Sequence, residues 1–323
     1  MSIIGAPLKD WIPYRLKETG DAANCEWLYL GNYAFDEPFF DETISHCRQL
    51  KENSQMRRVI SDVSMLSEWA SELFAITPTA FIFHVSRCGS TLLSQLLAQN
   101  PANIVLSEVP FFDELLQKGF RNNSMEKILP LLKDAITFYG KKRNEKQEHL
   151  FIKADSWHIH FYTELRQLFP QTPFLLLSRR PDEVVRSHQK LRGMQAVQGV
   201  IEPALFGFDE TIFHIPLDEY TANVLETYYN AFAEILQKDK LAFAFDYKDG
   251  MMNIIQKMMA ACNITVAEEQ LESMKERSSC HSKFPEQAFS EKAITGVPPE
   301  YLEKAFHSYN ELEKLRLTHP PTS

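Results

Sequence analysis

The sequence contains few cysteines, and they follow no pattern that a zinc site or a disulfide framework would require. No Cys-x-x-Cys pair occurs. The five residues are Cys25, Cys47, Cys88, Cys262 and Cys280. An odd, scattered set argues against a disulfide-stabilised secreted domain and against a structural metal centre. The ten histidines show no metal-ligand spacing either. We therefore expect free thiols in a reducing, cytoplasmic setting.

Long apolar runs and excess positive charge are also missing. No segment approaches the roughly 20 apolar residues of a membrane span, and residues 1–18 do not resemble a secretory signal. The net charge of −9 argues against broad binding to nucleic acid or to an anionic membrane. We expect a protein that works with neither, and its oligomeric state stays open.

The composition is that of a globular protein, with 44% hydrophobic and 24% charged residues in a chain of 323. Residues 1–77 differ from the rest by their prolines and by the aromatic cluster YAFDEPFF at 33–40. We predict one helix from Asp41 and another before residue 75. This part is predicted to be an N-terminal extension or small domain. Residues 78–323 then form the main domain, with Pro78 near the boundary.

From residue 80 onward, short apolar runs alternate with helical patterns. Five runs are predicted to be strands, at 80–85, 103–106, 149–153, 173–178 and 241–245. Continuous apolar strands are typical of a parallel sheet that is covered on both faces. The alternation predicts a doubly wound α/β fold in which a parallel sheet is flanked by helices. Ligands of such folds bind at the carboxyl ends of the strands.

The first polar motif, SRCGST at 86–91, joins the predicted strand at 80–85 to an amphipathic helix. The amino end of a helix offers unpaired N–H groups and partial positive charge. Gly89 allows close backbone approach, Ser90 and Thr91 add hydroxyls, and Arg87 adds a planar cation suited to phosphate or sulfonate. The loop lacks the Gly-Lys-Ser/Thr signature of ATP-binding loops. By itself it is also compatible with an ordinary strand–turn–helix junction.

A second motif, RRPDEVVRS at 179–187, follows the predicted strand at 173–178. Pro181 suits the first turn of a helix. Ser187 lies eight residues after Arg179, two helical turns further along, so the two side chains could share one phosphate group. A capped surface helix with incidental basic residues would explain the same pattern.

Together, the two motifs resemble those of the sulfotransferase family, which uses 3′-phosphoadenosine 5′-phosphosulfate (PAPS) as donor. The resemblance covers about residues 80–285 and implies an α/β fold with a P-loop-type parallel sheet flanked by helices. It implies that the first motif holds the 5′-phosphosulfate and that the second motif, through Arg179 and Ser187, holds the 3′-phosphate. The implied 5′ site consists of Arg87, Cys88, Gly89, Ser90 and Thr91. Arginine at position 87, where cytosolic members usually carry lysine, is similar to the tyrosylprotein and carbohydrate branches.

Two further positions match that branch. Glu108, in VLSEVPFF, corresponds to its catalytic glutamate, and Lys153, in FIKADSW, to the catalytic lysine of the family. From the residues alone, Glu108 could be a solvated acid near a helix start. Lys153 ends a buried strand and needs either an anionic partner or a route to solvent. The sequence KADSW departs from the Lys-Asp-Pro that is common in the branch, which weakens the case for a protein-tyrosine acceptor.

Two weaker matches complete the implied donor site. Tyr247, in FAFDYKDG, stands where the family has a tyrosine near the nucleotide, although it could equally belong to the core. Ser279, with Ser278 and Lys283 nearby, lies in a segment that resembles a late nucleotide-binding stretch of the tyrosylprotein enzymes.

The resemblance implies transfer of a sulfuryl group from PAPS to a hydroxyl, or less favourably an amine, of an acceptor. Glu108 would act as base and Arg87 and Lys153 would stabilise charge, with no metal required. The acceptor could be a small molecule, a carbohydrate or a peptide. Two alternatives stay open: an ATP-dependent P-loop phosphotransferase, and a non-catalytic protein that only binds a nucleotide.

Overall fold

The structure is a computed structural model that describes residues 8, 10–19, 22–54, 58–278 and 297–318. Its strands are β1 (Trp11–Thr19), β2 (Ala22–Tyr29), β3 (Val59–Asp62), β4 (Ala80–His84), β5 (Asn103–Ser107), β6 (His149–Lys153), β7 (Phe174–Ser178) and β8 (Ala242–Asp246). The α-helices are α1 (Phe40–Cys47), α2 (Ser64–Ala70), α3 (Ser90–Ala98), α4 (Pro110–Arg121), α5 (Met125–Tyr139), α6 (Tyr162–Leu168), α7 (Pro181–Lys190), α8 (Leu217–Lys238), α9 (Met251–Ala261), α10 (Glu268–Ser278) and α11 (Glu303–Thr318).

The larger sheet has five strands in the order β5-β6-β4-β7-β8. The β5/β6, β4/β7 and β7/β8 pairs are parallel, with Ser107 opposite Lys153 and Ser178 opposite Asp246. Every residue of β4 and of β7 is buried, as expected for strands covered by helices on both faces. Each of the five predicted strands overlaps an observed one. The predicted α/β fold with a helix-flanked parallel sheet is confirmed.

A second, antiparallel sheet of β1, β2 and β3 was not predicted from the sequence. Strand β1 lies at its edge, where a proline is tolerated, and the pairing register shifts between Pro13 and Arg15. The proline and this irregularity obscure the alternating pattern that would otherwise indicate a strand. The two helices predicted in this part of the chain are present as α1 and α2.

The chain divides into two compact units. The first consists of residues up to 79 together with 97–153 and 164–170. Within it, the Tyr139 hydroxyl donates to the Pro13 carbonyl at 2.7 Å, and the Leu16 N–H donates to a Glu114 carboxylate oxygen at 2.9 Å. The antiparallel sheet therefore packs against α4 and α5. Whether residues 1–77 act as a separate extension stays a prediction.

The second unit consists of residues 80–96, 154–163 and 171 onward. It contains β4, β7 and β8, the helices from α7 to α11, and the turns that follow these three strands. Among the helices of the described residues, none is both long and apolar enough to cross a membrane.

Candidate functional site

The loop after β4 has an unusual backbone conformation. Ser86 and Arg87 have φ angles of +66° and +49°, and Gly89 has a φ of +85°. Left-handed geometry is costly for residues with a Cβ and is concentrated at functional sites. The Ser86 N–H donates to Nδ1 of His84 at 3.1 Å, which places the imidazole proton of neutral His84 on Nε2. Helix α3 begins directly after this loop, at Ser90, so its amino end and the curled backbone form one potential anion-binding surface.

Arg87 connects this loop to the second motif. Its Nε donates to the Ser187 hydroxyl at 2.8 Å, and its backbone carbonyl accepts from Nη1 of Arg179 at 2.9 Å. These three residues come from the loop after β4 and from the β7–α7 junction. They were predicted to bind two different phosphate groups, and in the folded chain they form one connected cluster.

Arg179 is held from several directions and is only 5% exposed. Its Nε donates to a Glu183 carboxylate oxygen at 2.8 Å, and the centre of its guanidinium lies 4.4 Å from the centroid of the Tyr247 ring. The Tyr229 hydroxyl donates to the Arg179 carbonyl at 2.6 Å. The sequence interpretation missed the contact with Glu183, although a spacing of four residues at the start of a helix could have indicated it.

Tyr247 also packs against the first loop. A Cβ added to Gly89 would lie 2.8 Å from Cε2 of Tyr247 and 2.8 Å from the terminal methyl of Met251. Real Cβ atoms do not approach neighbours this closely. Glycine is therefore required here both by its positive φ and by the ring beside it. The structure brings Tyr247 together with Gly89 and Arg179. The role of Tyr247 near a nucleotide stays a prediction.

Glu108 and Lys153 lie in the first unit and form an ion pair of 2.6 Å between Oε1 and Nζ. The Lys153 side chain is fully buried, whereas the Glu108 side chain is 22% exposed. Glu108 has a φ of +55°, and its N–H donates to the Lys153 carbonyl at 2.8 Å. The carboxylate is the anionic partner that a buried lysine needs, because an unpaired ammonium would be costly there.

Two residues of the N-terminal part lie next to this ion pair. Lys153 Nζ lies 5.1 Å from the centroid of the Phe39 ring. Burial, followed by the negative charge of Glu108, raises the pKa of the Asp41 carboxyl. From the sequence we expected the aromatic cluster at 33–40 to pack on the main domain over the acceptor site, but local patterns did not identify Lys153 as a residue that it contacts.

Two histidines, His158 and His160, follow β6. The Nε2 atom of His158 lies 3.6 Å from a carboxylate oxygen of Asp155. Burial lowers the pKa of His160 to about 4, so this imidazole is neutral near pH 7. Its ring packs against Phe206 and Tyr228, with centroid distances of 5.5 and 5.7 Å.

The remaining residues of the first motif lie between the end of β4 and the first turn of α3. Cys88 and Ser90 are buried, and Thr91 is partly exposed at the start of α3. Ser278 is the last residue of α10, and Arg277 in the same helix donates to Gln95 of α3 at 2.8 Å. The predicted Ser279, and Lys283 beyond it, lie outside the described residues.

Comparison of the sequence with known protein families identifies one family. The model of the Sulfotransferase family matches residues 78–268, more than half of the chain. No curated protein matches the sequence significantly.

Several solved structures are similar to the chain. A sulfotransferase from Alicyclobacillus acidocaldarius is 14% identical over 75% of this chain and 96% of its own, with a TM-score of 0.43. Sulfotransferase STF9 from Mycobacterium avium is 13% identical over 87% of this chain and 83% of its own, with a TM-score of 0.47. The mouse sulfotransferase SULT7A1, solved in complex with PAP, is 12% identical over 78% and 89%, with a TM-score of 0.40. Because the family match spans most of the chain from the first strand of the parallel sheet to α10, this protein belongs to the sulfotransferase family.

Proposed function

We propose that the protein transfers a sulfuryl group from PAPS to a hydroxyl of an acceptor. Family membership supports sulfuryl transfer, and the donor, the base and the acceptor are the parts that we propose. The observation that carries the proposal is the cluster in which Arg87 donates to Ser187 and Arg179 donates to the Arg87 carbonyl. Two guanidinium groups and a hydroxyl thereby meet beside a helix terminus, a combination suited to a ligand with two separate anionic groups.

In this proposal the 5′-phosphosulfate binds the loop at 86–91. Backbone N–H groups near Cys88 and Gly89 and the hydroxyls of Ser90 and Thr91 donate to it. Arg87 stabilises the charge that develops on the transferring group. This use explains why the backbone tolerates left-handed residues at a strand–helix junction, since curled backbone directs several N–H groups toward one point.

The 3′-phosphate is assigned to Arg179 and Ser187. Tyr247 packs on the Arg179 guanidinium and limits its orientation, and a preset guanidinium loses less conformational entropy on binding. Arginine rather than lysine at position 87 supports the tyrosylprotein or carbohydrate branch, and we include that branch in the proposal.

The reaction forms one bond and breaks one. The acceptor oxygen bonds to sulfur, the bond from sulfur to the bridging oxygen of the 5′-phosphate breaks, and the acceptor proton passes to the Glu108 carboxylate. The products are 3′-phosphoadenosine 5′-phosphate (PAP) and a sulfate ester. Lys153, which pairs with Glu108 at 2.6 Å, would orient the carboxylate and balance charge on the leaving phosphate.

The acceptor is a small molecule, a carbohydrate or a peptide that presents a hydroxyl. An ATP-dependent phosphotransferase is less well supported, because the loop lacks the Gly-Lys-Ser/Thr signature and the family match indicates sulfuryl transfer. A protein that binds the nucleotide without catalysis would bind PAP tightly and transfer to no acceptor. Assays with radiolabelled PAPS against a panel of hydroxyl acceptors distinguish that case.

The donor assignment is tested by comparing PAP with AMP, which lacks the 3′-phosphate. Charge-assisted hydrogen bonds contribute about 1.5–3 kcal/mol each, and each 1.4 kcal/mol changes affinity tenfold. Calorimetry on the wild type should therefore show PAP binding about tenfold to a hundredfold tighter than AMP. Arg179→Ala should remove most of this preference and leave AMP binding nearly unchanged.

A matched control is Arg180→Ala. This neighbouring arginine has a side chain that is 47% exposed and pairs with Asp182, so the preference for PAP should persist. Equal affinity of the wild type for PAP and AMP would remove the main support for PAPS as donor and would favour an ATP-using enzyme.

A further inference from the structure

The turn that carries Tyr247 is attached to helix α11 by its neighbours on both sides. Before it, a carboxylate oxygen of Asp246 accepts from the Tyr309 hydroxyl at 2.9 Å. After it, Lys248 forms an ion pair with Glu313, and Asp249 accepts from Nη1 of Arg316 at 2.6 Å. The residues of α11 in these contacts are Tyr309, Glu313 and Arg316. Three positions of α11 that are four and three residues apart, about one helical turn each, thus hold three residues that flank Tyr247.

The contacts of this attachment are directional, and the pair that Arg316 forms with Glu313 is both buried and charged, whereas Lys248 is half-exposed. Glu313 and Arg316 are 7% and 9% exposed, and Arg316 donates to both carboxylate oxygens of Glu313, at 2.7 and 2.9 Å. Burial alone would raise the pKa of Glu313, but hydrogen bonds from Arg316 and Lys248 outweigh it and lower that pKa. Apolar residues could attach a helix without the desolvation cost of buried charges. Bidentate arginine–carboxylate contacts add a fixed geometry that apolar packing does not.

The turn needs a fixed geometry because the Tyr247 ring lies between two parts of the proposed donor site. One contact of the ring is with Gly89 in the loop after β4, and another is with the Arg179 guanidinium. A rotation of the turn would move the ring away from Arg179 or into the loop. The position of α11 therefore bears on both phosphate-binding segments, although α11 lies beyond the family match at 78–268.

We propose that α11 is a positioning element for the donor site, with Arg316 as its main positioning residue acting on Tyr247 through Asp249 and Glu313. The expected effect of α11 on PAP binding rests on the proposed function, whereas its expected effect on the turn does not. Arg316 does not contact the donor, and its influence passes through the turn.

The test uses Asp249→Asn, which keeps the size of the side chain and weakens the link to Arg316, together with Arg316→Lys. A matched control is Lys314→Met, since Lys314 lies on the same helix, is exposed and, among the described residues, forms an ion pair only with Glu311. The first measurement is hydrogen exchange at the turn. The Lys248 N–H donates to a carboxylate oxygen of Asp246 at 2.9 Å, and the Gly250 N–H donates to the Tyr247 carbonyl at 3.2 Å. Both amides are therefore protected from exchange while the turn keeps this conformation.

The second measurement is PAP affinity in two backgrounds. Asp249→Asn should weaken PAP binding about fivefold or more in the wild type and have little further effect in Tyr247→Ala, because contacts that act through one residue are not additive. Arg316→Lys should cause a smaller loss, and Lys314→Met none. Faster exchange at 247–250 should accompany each loss.

The outcomes separate the two proposals. Unchanged exchange at the turn in Asp249→Asn overturns the proposal that α11 positions the turn. An equal loss of PAP affinity in both backgrounds also overturns it, because such a loss indicates general destabilisation. Faster exchange with unchanged PAP affinity overturns the link between α11 and the donor site. If exchange at the turn is faster in Asp249→Asn but the wild type does not bind PAP, the result supports the positioning of the turn by α11 and contradicts the proposed donor.

Discussion

Arg87 and Ser187 are separated by one hundred residues in the sequence and joined by a hydrogen bond of 2.8 Å from Nε to Oγ. The bond links the loop after β4 to helix α7. Because Arg179 also donates to the Arg87 carbonyl, the three residues form one connected set of contacts for the two phosphate groups of PAP in the proposed site. Substitutions in this cluster should therefore show strong coupling in double-mutant cycles.

Arg87→Ala should abolish sulfuryl transfer and weaken PAP binding, since it removes the planar cation of the loop. Arg87→Lys should recover only part of the activity, because a lysine cannot form the forked contact of a guanidinium. Turnover with radiolabelled PAPS and calorimetry with PAP measure the two effects. Wild-type turnover in Arg87→Ala would mean that the sulfonate binds elsewhere.

Gly89→Ala should lower the free energy of unfolding by about 1–3 kcal/mol from backbone strain and should also displace the Tyr247 ring. Gly207→Ala is the matched control, because Gly207 has a similar φ of +75° but no atom within 4 Å of an added Cβ. Both variants should lose stability in urea unfolding, and only Gly89→Ala should lose PAP affinity. Equal PAP affinity in the two variants would contradict a role for the contact with Tyr247.

Glu108→Gln should reduce kcat by about 10²–10⁴-fold, the usual contribution of a general base, while PAP affinity stays the same. The amide keeps the size of the carboxylate but cannot accept the proton. Glu72→Gln, at an exposed position of the same unit, should have no effect on rate. Thermal unfolding measures separately any stability lost when the buried Lys153 faces a neutral partner. Near-native rates would assign the base to another residue, with His158 tested next.

A fragment that begins at Pro78 should be poorly soluble and inactive. In the full chain, Trp27 packs on Phe138 with a centroid distance of 4.8 Å, and Phe39 lies beside Lys153. Removal of residues 1–77 would expose the apolar faces of α4 and α5, and exposed apolar patches promote aggregation. Expression and light scattering of the 78–323 fragment, with an activity assay, test this. A monodisperse, fully active fragment would show that the N-terminal part is dispensable.

The free energy of unfolding should fall between pH 6.5 and pH 4, partly because of His160. Its pKa is about 4 in the folded chain and near 6.5 when unfolded, so acid protonates the unfolded state first. The contribution of His160 to the free energy of unfolding is present above pH 6.5 and is lost as the pH falls toward 4, at up to about 1.4 kcal/mol per pH unit. His160→Phe keeps aromatic packing against Phe206 and should flatten this dependence in urea titrations. Identical slopes for variant and wild type would rule out this origin.

The parallel sheet was predictable from the sequence because its signals are local. Each buried strand appears as a short apolar run, and each loop motif directly follows one of them, at Arg87 after β4 and at Arg179 after β7. The antiparallel sheet at the start of the chain was not predictable in the same way. Its strands are partly polar, one is interrupted at Pro13, and the pairing of β2 with β3 joins residues about 35 positions apart.

The sequence by itself determined which residues we propose to carry the chemistry: the loop at 86–91, Arg179 and Ser187, and the acid and lysine at 108 and 153. Only the tertiary structure decided their partners. It pairs Lys153 with Glu108, Arg87 with Ser187 and Arg179 with Glu183, and it attaches the Tyr247 turn to Arg316. Most of these contacts join residues that are far apart in the chain, and they form only when strand order and helix packing bring them together. Local patterns specify the elements, whereas distances of this kind depend on the whole fold.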